Sequence, residues 1–168
     1  MYKEESMQRV AYHLQTKAIG ASEAERDAFA RSAYNRYYYS VFLRCRKMMH
    51  EMNTQWSSLP HASYPEVLNG KIDKFFNSEL KRARKQEDGQ MQKEIESTRR
   101  AVKALVKIIT NANAGRVVAD YEPDQPVDFT SADRFSLNSI EVTEAHAWAG
   151  QVNILCNTVA TTWKKINV

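Results

Sequence analysis

The sequence predicts an all-α protein, an up-and-down bundle of about five helices, and three observations support this. The chain of 168 residues contains only 5 Gly and 4 Pro, too few turn-forming residues for a β-sandwich or β-barrel. Apolar residues recur at three- and four-residue spacing over long stretches, which is the period of an amphipathic helix. The length suits one domain, so we expect residues 1–168 to form a single helical domain.

The first two helices are separated by a short break. The first is predicted over about residues 4–19, and Gly20 ends it because glycine favours the position after a helix. Ser22 and Glu25 have the spacing of a capping box, a pattern that begins a helix. The second helix therefore begins here, and its apolar periodicity continues to Met52.

Residues 55–64 are predicted to be a loop, and two more helices follow. The third begins at Pro65, because proline suits a first helical turn, and extends to about Leu80. After a break at residues 85–90, the fourth helix runs from Met91 to about Tyr121.

The C-terminal part is predicted to be a loop and then a helix. Residues 122–139 are acidic and contain Pro123 and Pro126, which indicates an acidic loop. Thr143 is a good N-cap, and Glu144 next to it suits the positive end of a helix dipole, so the fifth helix begins near this point.

Several functional classes are excluded by what the sequence lacks. No apolar run approaches 18 residues, and the charged N-terminus has no apolar signal core, so we expect a cytoplasmic protein without a membrane span. Phosphate-cradling and nucleophile-elbow motifs are absent. The four histidines and two cysteines lack metal-ligand spacing, so no metal or cofactor is expected. Cys45 and Cys156 lie on apolar stripes and are predicted to be buried.

Charge is distributed unevenly along the chain. Residues 81–116 carry ten basic and four acidic side chains, a net +6, whereas residues 117–144 carry seven acids and one arginine, a net −6. A basic helix attracts phosphate backbones. The alternative is that these charges only solvate a helix face and pair with nearby acids.

The most unusual segment, residues 31–42, holds four tyrosines and two arginines within three helical turns. Successive residues on a helix are 100° apart, so Tyr37, Tyr38 and Tyr39 cannot all face one core. At least one of them is predicted to lie at a second interface or to line a cleft. The alternatives are a core helix with solvated tyrosine tips, a dimer contact, and a stacking platform for RNA bases.

Four pieces of the chain, in order, resemble HEPN domains (higher eukaryote and prokaryote nucleotide-binding). The segment Asn35–Phe42, followed by Arg46, resembles the family helix S-R-A-Y-Y-A-V-F-H-A-A-R. Residues 61–76 are similar to the family segment H-x-x-V-h-x-x-F, and residues 116–122 match the R-x-x-A-D-Y-[DE] signature. The start of the last helix, residues 142–145, also fits.

This resemblance implies an α-helical, HEPN-like bundle that forms a homodimer about a two-fold axis. It implies an RNA-directed, toxin–antitoxin or phage-defence role, with two alternative functions. The first is a metal-independent endoribonuclease. The second is a catalytically inactive interaction module that dimerises and binds a partner such as a minimal nucleotidyltransferase. A helical protein without any nucleic-acid role is the third class of function.

The resemblance also implies where a site would lie. Active HEPN members carry R-x(4–6)-H, in which arginine stabilises phosphate and histidine transfers protons; here no histidine follows Arg116 in that window. Arg116 would hold the phosphate, and without a histidine the proton transfer would fall to an acid or to Tyr121. Arg116, Asp120 and Tyr121 are therefore the candidate catalytic residues. Arg116 and Asp120 are also spaced for an ordinary ion pair within a helix, which leaves a structural network as the alternative to a ligand-contacting cleft. The candidate RNA-binding residues are Arg36, Tyr39, Arg99, Arg100 and Lys103.

Overall fold

The computed structural model describes residues 3–167, and its secondary structure confirms the all-α class. In chain order the helices are α1 (Lys3–Gly20), α2 (Glu23–Met52), α3 (Tyr64–Val67), α4 (Asp73–Lys85), α5 (Gly89–Tyr121) and α6 (Val142–Ile166). The predicted ends of α1 and α2 agree with these bounds to about one residue, and α5 ends at the predicted Tyr121 but begins two residues before Met91. α4 continues five residues beyond the predicted Leu80, and α6 begins one residue before the predicted Thr143.

The described chain divides into two compact units, each built from two segments. Unit 1 comprises residues 3–44 and 110–151, and unit 2 comprises residues 45–109 and 152–167. The boundaries fall within α2, α5 and α6, so each of these helices contributes residues to both units.

The junction between α1 and α2 lies at the predicted position. The Ser22 carbonyl accepts hydrogen bonds from the backbone amides of Glu25 and Arg26, each at 3.0 Å. The Ser22 hydroxyl donates to the Glu25 carboxylate at 2.9 Å. α2 therefore starts where the pattern predicts, but the serine and glutamate side chains pair with each other, whereas in a capping box each would bind a backbone amide.

The segment predicted as a loop at residues 55–64 contains short helical turns. Two 3₁₀ turns, Thr54–Ser58 and His61–Ser63, lead directly into α3. The Asn53 side chain accepts a hydrogen bond from the Gln55 amide at 3.0 Å and so begins the first turn. The wide π turn Leu68–Ile72 joins α3 to α4, so the third predicted helix is continuous but locally unwound.

The start and the far end of α5 have identifiable causes. The Asp88 carboxylate accepts a hydrogen bond from the Met91 amide at 2.9 Å, which caps the first turn. Gly115 favours close packing further along, because a Cβ atom at this position would lie 3.1 Å from the Ile140 side chain, which would have to shift. Glycine here weakens helix propensity but allows the chain after α5 to pack closely.

The prediction that residues 122–139 form only an acidic loop is wrong, since this region contains strands. They are β1 (Asp128–Ser131), β2 (Arg134–Leu137) and β3 (Ile140–Glu141), paired antiparallel in the order β1-β2-β3. The turn between β2 and β3 places Asn138 and Ser139 at φ 52° and 60°, as a tight type of hairpin turn requires. Phe135 and Leu137 are fully buried, and their burial holds the sheet.

The tyrosine-rich part of α2 divides as its helical period demands. Tyr34, Tyr37 and Tyr38 are buried, whereas Tyr39 is only partly buried. The prediction that the three successive tyrosines cannot share one core is therefore confirmed. Cys45 and Cys156 are both buried, as predicted.

Candidate nucleic-acid interface

Six polar and aromatic side chains of unit 1 gather where α2 lies against the C-terminal end of α5. We call them the Arg116 cluster, and its members are Asn35, Arg36, Tyr39, Arg116, Asp120 and Tyr121. The three candidate catalytic residues lie within it, together with two of the five candidate RNA-binding residues.

An ion pair forms the centre of the cluster. Arg116 Nε lies 2.8 Å from Asp120 Oδ2, which confirms that the two residues pair across one helical turn. The Nε–H group is buried and makes no well-aligned hydrogen bond, so the contact is mainly ionic. Asn35 Nδ2 donates to both oxygens of Asp120, at 2.8 and 3.0 Å, and so links α2 to α5.

The cluster contains two contacts between an arginine and a tyrosine ring. The Arg116 guanidinium carbon lies 5.2 Å from the centre of the Tyr121 ring, and Nη2 donates to the Tyr121 hydroxyl at 3.4 Å. Arg36 lies 6.0 Å from the centre of the Tyr39 ring and takes no part in the ion pair. These distances are in the range of cation–π attraction.

The electrostatics of the cluster keep Arg116 charged. Partial burial alone would lower the pKa of its guanidinium, but the charge of Asp120, the hydrogen bond to Tyr121 and the proximity of Tyr39 raise it above the ordinary value. Arg116 is therefore a permanent cation whose charge is partly neutralised by Asp120.

The cluster lacks the histidine that the family pattern uses for proton transfer. The next histidine after Arg116 is His146, and its Nδ1 lies 3.1 Å from the Tyr37 hydroxyl. That hydroxyl donates to Gln15 Oε1 at 2.5 Å, so His146 belongs to a different polar network of unit 1. The groups that line the Arg116 cluster can bind a charged or aromatic ligand, but they do not form an acid–base pair.

Arg31 is an important residue near this cluster that sequence reasoning missed. Its guanidinium donates to the carbonyls of Val118 and Glu122 at 3.2 Å and of Pro123 at 3.3 Å, and also to the carbonyl of Gln125. Nε is held by Asp27 at 2.7 Å. Arg31 therefore caps the end of α5 by joining a carbonyl of its last turn to three carbonyls of the segment that follows. Sequence alone gave no signal, since the carbonyls lie more than 80 positions away.

The other three candidate RNA-binding residues lie in unit 2. They differ in whether their charged groups are bound within the protein or exposed to a ligand. Arg99 donates to both oxygens of Asp73, at 2.8 and 3.0 Å, so its guanidinium is engaged within the protein. Arg100 and Lys103 are exposed. Lys103 is close enough to Asp73 to help lower the pKa of that carboxyl group.

Exposed cations form one row on α4 and another on α5. The α4 row consists of Lys74, Lys81 and Lys85, and the α5 row consists of Lys93, Arg100, Lys103 and Lys107. Within residues 3–167, none of these seven makes a side-chain ion pair within 4.0 Å. Spacings of three, four and seven residues place the members of each row on one helix face.

The two units differ in net charge. Unit 2 has fifteen Lys and Arg against eight Asp and Glu, a net +7, whereas unit 1 has nine against twelve, a net −3. The mild overall charge of +4 therefore conceals a strongly basic unit. The predicted basic stretch is balanced by its own acids only in part, through pairs such as Arg84–Glu96 at 3.0 Å.

The Asp73–Arg99 pair is expected to make the free energy of unfolding depend on pH. The Arg99 hydrogen bond lowers the pKa of Asp73 from its ordinary value of 3.8. A carboxyl group whose pKa is lower in the folded state stabilises the fold above its unfolded pKa and loses this effect as pH falls through the folded value. We expect Asp73→Asn to lower the free energy of unfolding by about 1 kcal/mol at pH 7, with the difference shrinking below about pH 4.

Urea unfolding of both proteins at a series of pH values measures this difference. Glu87→Gln is the control, because Glu87 is exposed and has no side-chain partner in the described structure, and we expect it to change stability little at any pH. A constant difference between wild type and Asp73→Asn down to pH 2 would contradict the assignment.

Two classes of feature are not found in the part of the chain that the structure describes. No three His, Cys, Asp or Glu side chains gather in a way that could hold a metal ion. None of the helices within residues 3–167 has both the length and the apolar composition that crossing a membrane requires.

Comparison of this chain with protein-family models, with curated proteins and with solved structures finds no match. The likeness to HEPN domains therefore stays a prediction from the sequence motifs.

Proposed function

We propose that this chain is a HEPN-like RNA-binding protein that contacts the phosphate backbone through the α4 and α5 rows of unit 2. The observation that carries the proposal is the set of seven exposed cations without ion-pair partners, in a unit of net charge +7. Unpaired surface cations repel one another, so their alignment is best explained by a polyanionic ligand that neutralises them.

The spacing of the α5 row suits a chain of phosphates. A helix rises 1.5 Å per residue, so Lys103 and Lys107 follow Arg100 at intervals of about 4.5 and 6 Å, and the row extends about 21 Å from Lys93. Flexible lysine side chains adjust to phosphate positions, and arginine adds a planar fork that matches phosphate oxygens.

The Arg116 cluster supports binding rather than cleavage. Metal-independent cleavage of RNA requires a group that removes the ribose 2′-hydroxyl proton and a cation that faces the phosphate. In this chain the cation is already occupied by Asp120, which Asn35 also holds. The proposed function is therefore an RNA-binding module of the kind that the family's inactive members represent.

A matched pair of double variants tests the proposal by titration of fluorescent single-stranded RNA over a range of salt concentrations. Arg100→Gln with Lys107→Gln removes two cations of the α5 row, and Arg9→Gln with Lys17→Gln removes two exposed cations of α1. We expect the first to weaken binding on the order of tenfold at low salt and to reduce the salt slope by about 1.4, because each single-strand phosphate contact contributes about 0.7.

Equal effects of the two double variants, or no binding by wild type, would contradict the proposal. Incubation of the same RNA with wild type and with Arg116→Ala in EDTA provides the second measurement. We expect intact RNA in both. Cutting by wild type that Arg116→Ala abolishes would show instead a metal-independent ribonuclease.

A further inference from the structure

We infer that Arg46 and His50 form a binding site for a phosphate monoester on the part of α2 that belongs to unit 2. The inference goes beyond the proposed function, because neither residue belongs to the α4 row or the α5 row. It comes from three features of the two side chains: a shared anchor, polar groups left for a ligand, and a positive charge around them.

A single residue holds both side chains. Arg46 Nε donates to the Ser57 carbonyl at 2.9 Å, and His50 Nδ1 lies 3.1 Å from the Ser57 hydroxyl. That hydroxyl donates its own proton to the Thr54 carbonyl at 2.8 Å, so it accepts a hydrogen bond from Nδ1–H of the histidine. Since Arg46 and His50 are four positions apart, they share one face of α2. The two side chains are therefore ordered next to each other before any ligand arrives, which reduces the entropy lost on binding.

The turn that carries Ser57 is itself held in place. It is the 3₁₀ turn Thr54–Ser58, whose first residues are capped by the side chain of Asn53. The Trp56 ring of this turn lies 6.0 Å from the Trp163 ring of α6, a distance at which aromatic pairs attract each other. The anchor of the two side chains is therefore packed against α6 within unit 2.

The remaining polar groups of the pair suit a phosphate that has an ionisable proton. Arg46 and His50 are exposed, and within the described chain neither makes an ion pair or a further side-chain hydrogen bond. The Nη groups of Arg46 form a fork that matches two phosphate oxygens. The group left on His50 is Nε2, and one proton fits between it and a third phosphate oxygen.

That shared proton distinguishes a phosphate monoester from a phosphodiester. A monoester loses its second proton at about pH 6, within the range in which histidines titrate, so either partner can supply the proton between them. A phosphodiester inside a nucleic-acid chain has one negative charge and no such proton. The site is therefore matched to a terminal phosphate group.

The charge around the site also favours a ligand with two negative charges. Unit 2 has a net charge of +7, and Lys47 lies three positions before His50. The acid nearest in sequence is Glu51, whose carboxylate lies 3.6 Å from Lys164 Nζ and is partly neutralised by it. A monoester carries close to two charges at pH 7, so this surface attracts it more strongly than a diester.

Titration of the protein with inorganic phosphate at constant ionic strength tests the site through the imidazole NMR signals of the histidines. We expect a saturating shift of the His50 signal. Dimethyl phosphate, a diester, should bind about tenfold more weakly, and so should inorganic phosphate to Arg46→Gln, since one charge-assisted hydrogen bond contributes on this scale.

A second arginine and histidine at the same spacing provide the matched control. Arg9 and His13 are both exposed on α1, and the described structure gives neither side chain an anchoring hydrogen bond. We expect the His13 signal to shift little with phosphate and Arg9→Gln to leave the His50 titration unchanged. Equal shifts of His13 and His50, equal affinity for the two phosphates, or unchanged affinity of Arg46→Gln would overturn the site.

Two RNA strands that differ only in a 5′-phosphate or a 5′-hydroxyl identify the source of the ligand. Tighter binding of the 5′-phosphate strand, lost in Arg46→Gln, would assign the site to an RNA end. Equal binding of both strands, with saturable binding of inorganic phosphate, would assign it to a free phosphate compound. The phosphate titration does not depend on RNA binding by the α4 and α5 rows, so this inference and the proposed function can fail separately.

Discussion

Truncating Phe135 to alanine is expected to lower the free energy of unfolding by about 4 kcal/mol. Phe135 is fully buried, and its ring lies 5.9 Å from that of Tyr34 and 5.3 Å from that of Phe129. The substitution therefore removes a large apolar side chain from water-free surroundings and leaves a cavity between α2 and the sheet. Urea unfolding followed by circular dichroism measures the loss.

Thr130→Ala serves as the control for this variant, because Thr130 is exposed on the neighbouring strand β1. We expect it to change stability by less than about 0.5 kcal/mol. A loss below about 1 kcal/mol for Phe135→Ala would mean that the three-stranded sheet contributes little to the core of unit 1, contrary to the burial of Phe135.

Arg31→Ala is expected to lower the free energy of unfolding by about 3 kcal/mol. The Arg31 side chain is only 13% exposed, and it supplies hydrogen bonds to carbonyls at and after the end of α5 as well as the ion pair with Asp27. Alanine removes the charged donor from those carbonyls and from Asp27. The Val118 and Glu122 carbonyls keep their backbone hydrogen bonds from Glu122 and Gln125, so the expected loss is the summed net value of several charge-assisted bonds.

Arg31→Lys tests whether the planar fork matters, since an ammonium group cannot reach several carbonyls at once. We expect it to recover less than half of the loss in the same urea measurement. Arg9→Ala is the control because Arg9 is exposed on α1, and it should be nearly neutral. Equal stability of wild type and Arg31→Ala would show that α5 ends in the same way without this cap.

The helices could be predicted because their information is local. Gly20, the Ser22–Glu25 pair and Pro65 lie beside the helix ends that they specify, and apolar periodicity indicates the lengths between them. The π turn Leu68–Ile72 was missed for the opposite reason. It changes the hydrogen-bond partners of a continuous helix without interrupting its apolar pattern.

The three-stranded sheet could not be predicted from local patterns in the sequence. Its strands have only four, four and two residues, so alternation of polar and apolar side chains has little room to show. Acidic residues and two prolines around it favoured a loop. The stabilising contacts are distant in sequence, as in the hydrogen bond of 2.5 Å from the Tyr34 hydroxyl to the Ile140 carbonyl.

In the candidate site, too, contacts between residues close in sequence could be predicted and contacts between distant residues could not. The Arg116–Asp120 pair follows from four-residue spacing and was predicted. Asn35 was not, because it reaches Asp120 across 85 positions of sequence. Spacing also could not show that Arg99 is engaged by Asp73 while Arg100 is exposed, since that difference depends on which side of α5 faces α4.

The two-segment construction of unit 1 has a consequence for synthesis on the ribosome. Residues 3–44 emerge from the exit tunnel long before residues 110–151, which complete the unit. Until then Tyr34 and Tyr37 lack the groups of β3 and α6 that cover their hydroxyls in the finished fold. We expect the nascent N-terminal segment to be a substrate for ribosome-associated chaperones, because its apolar face stays uncovered while the intervening 65 residues are translated.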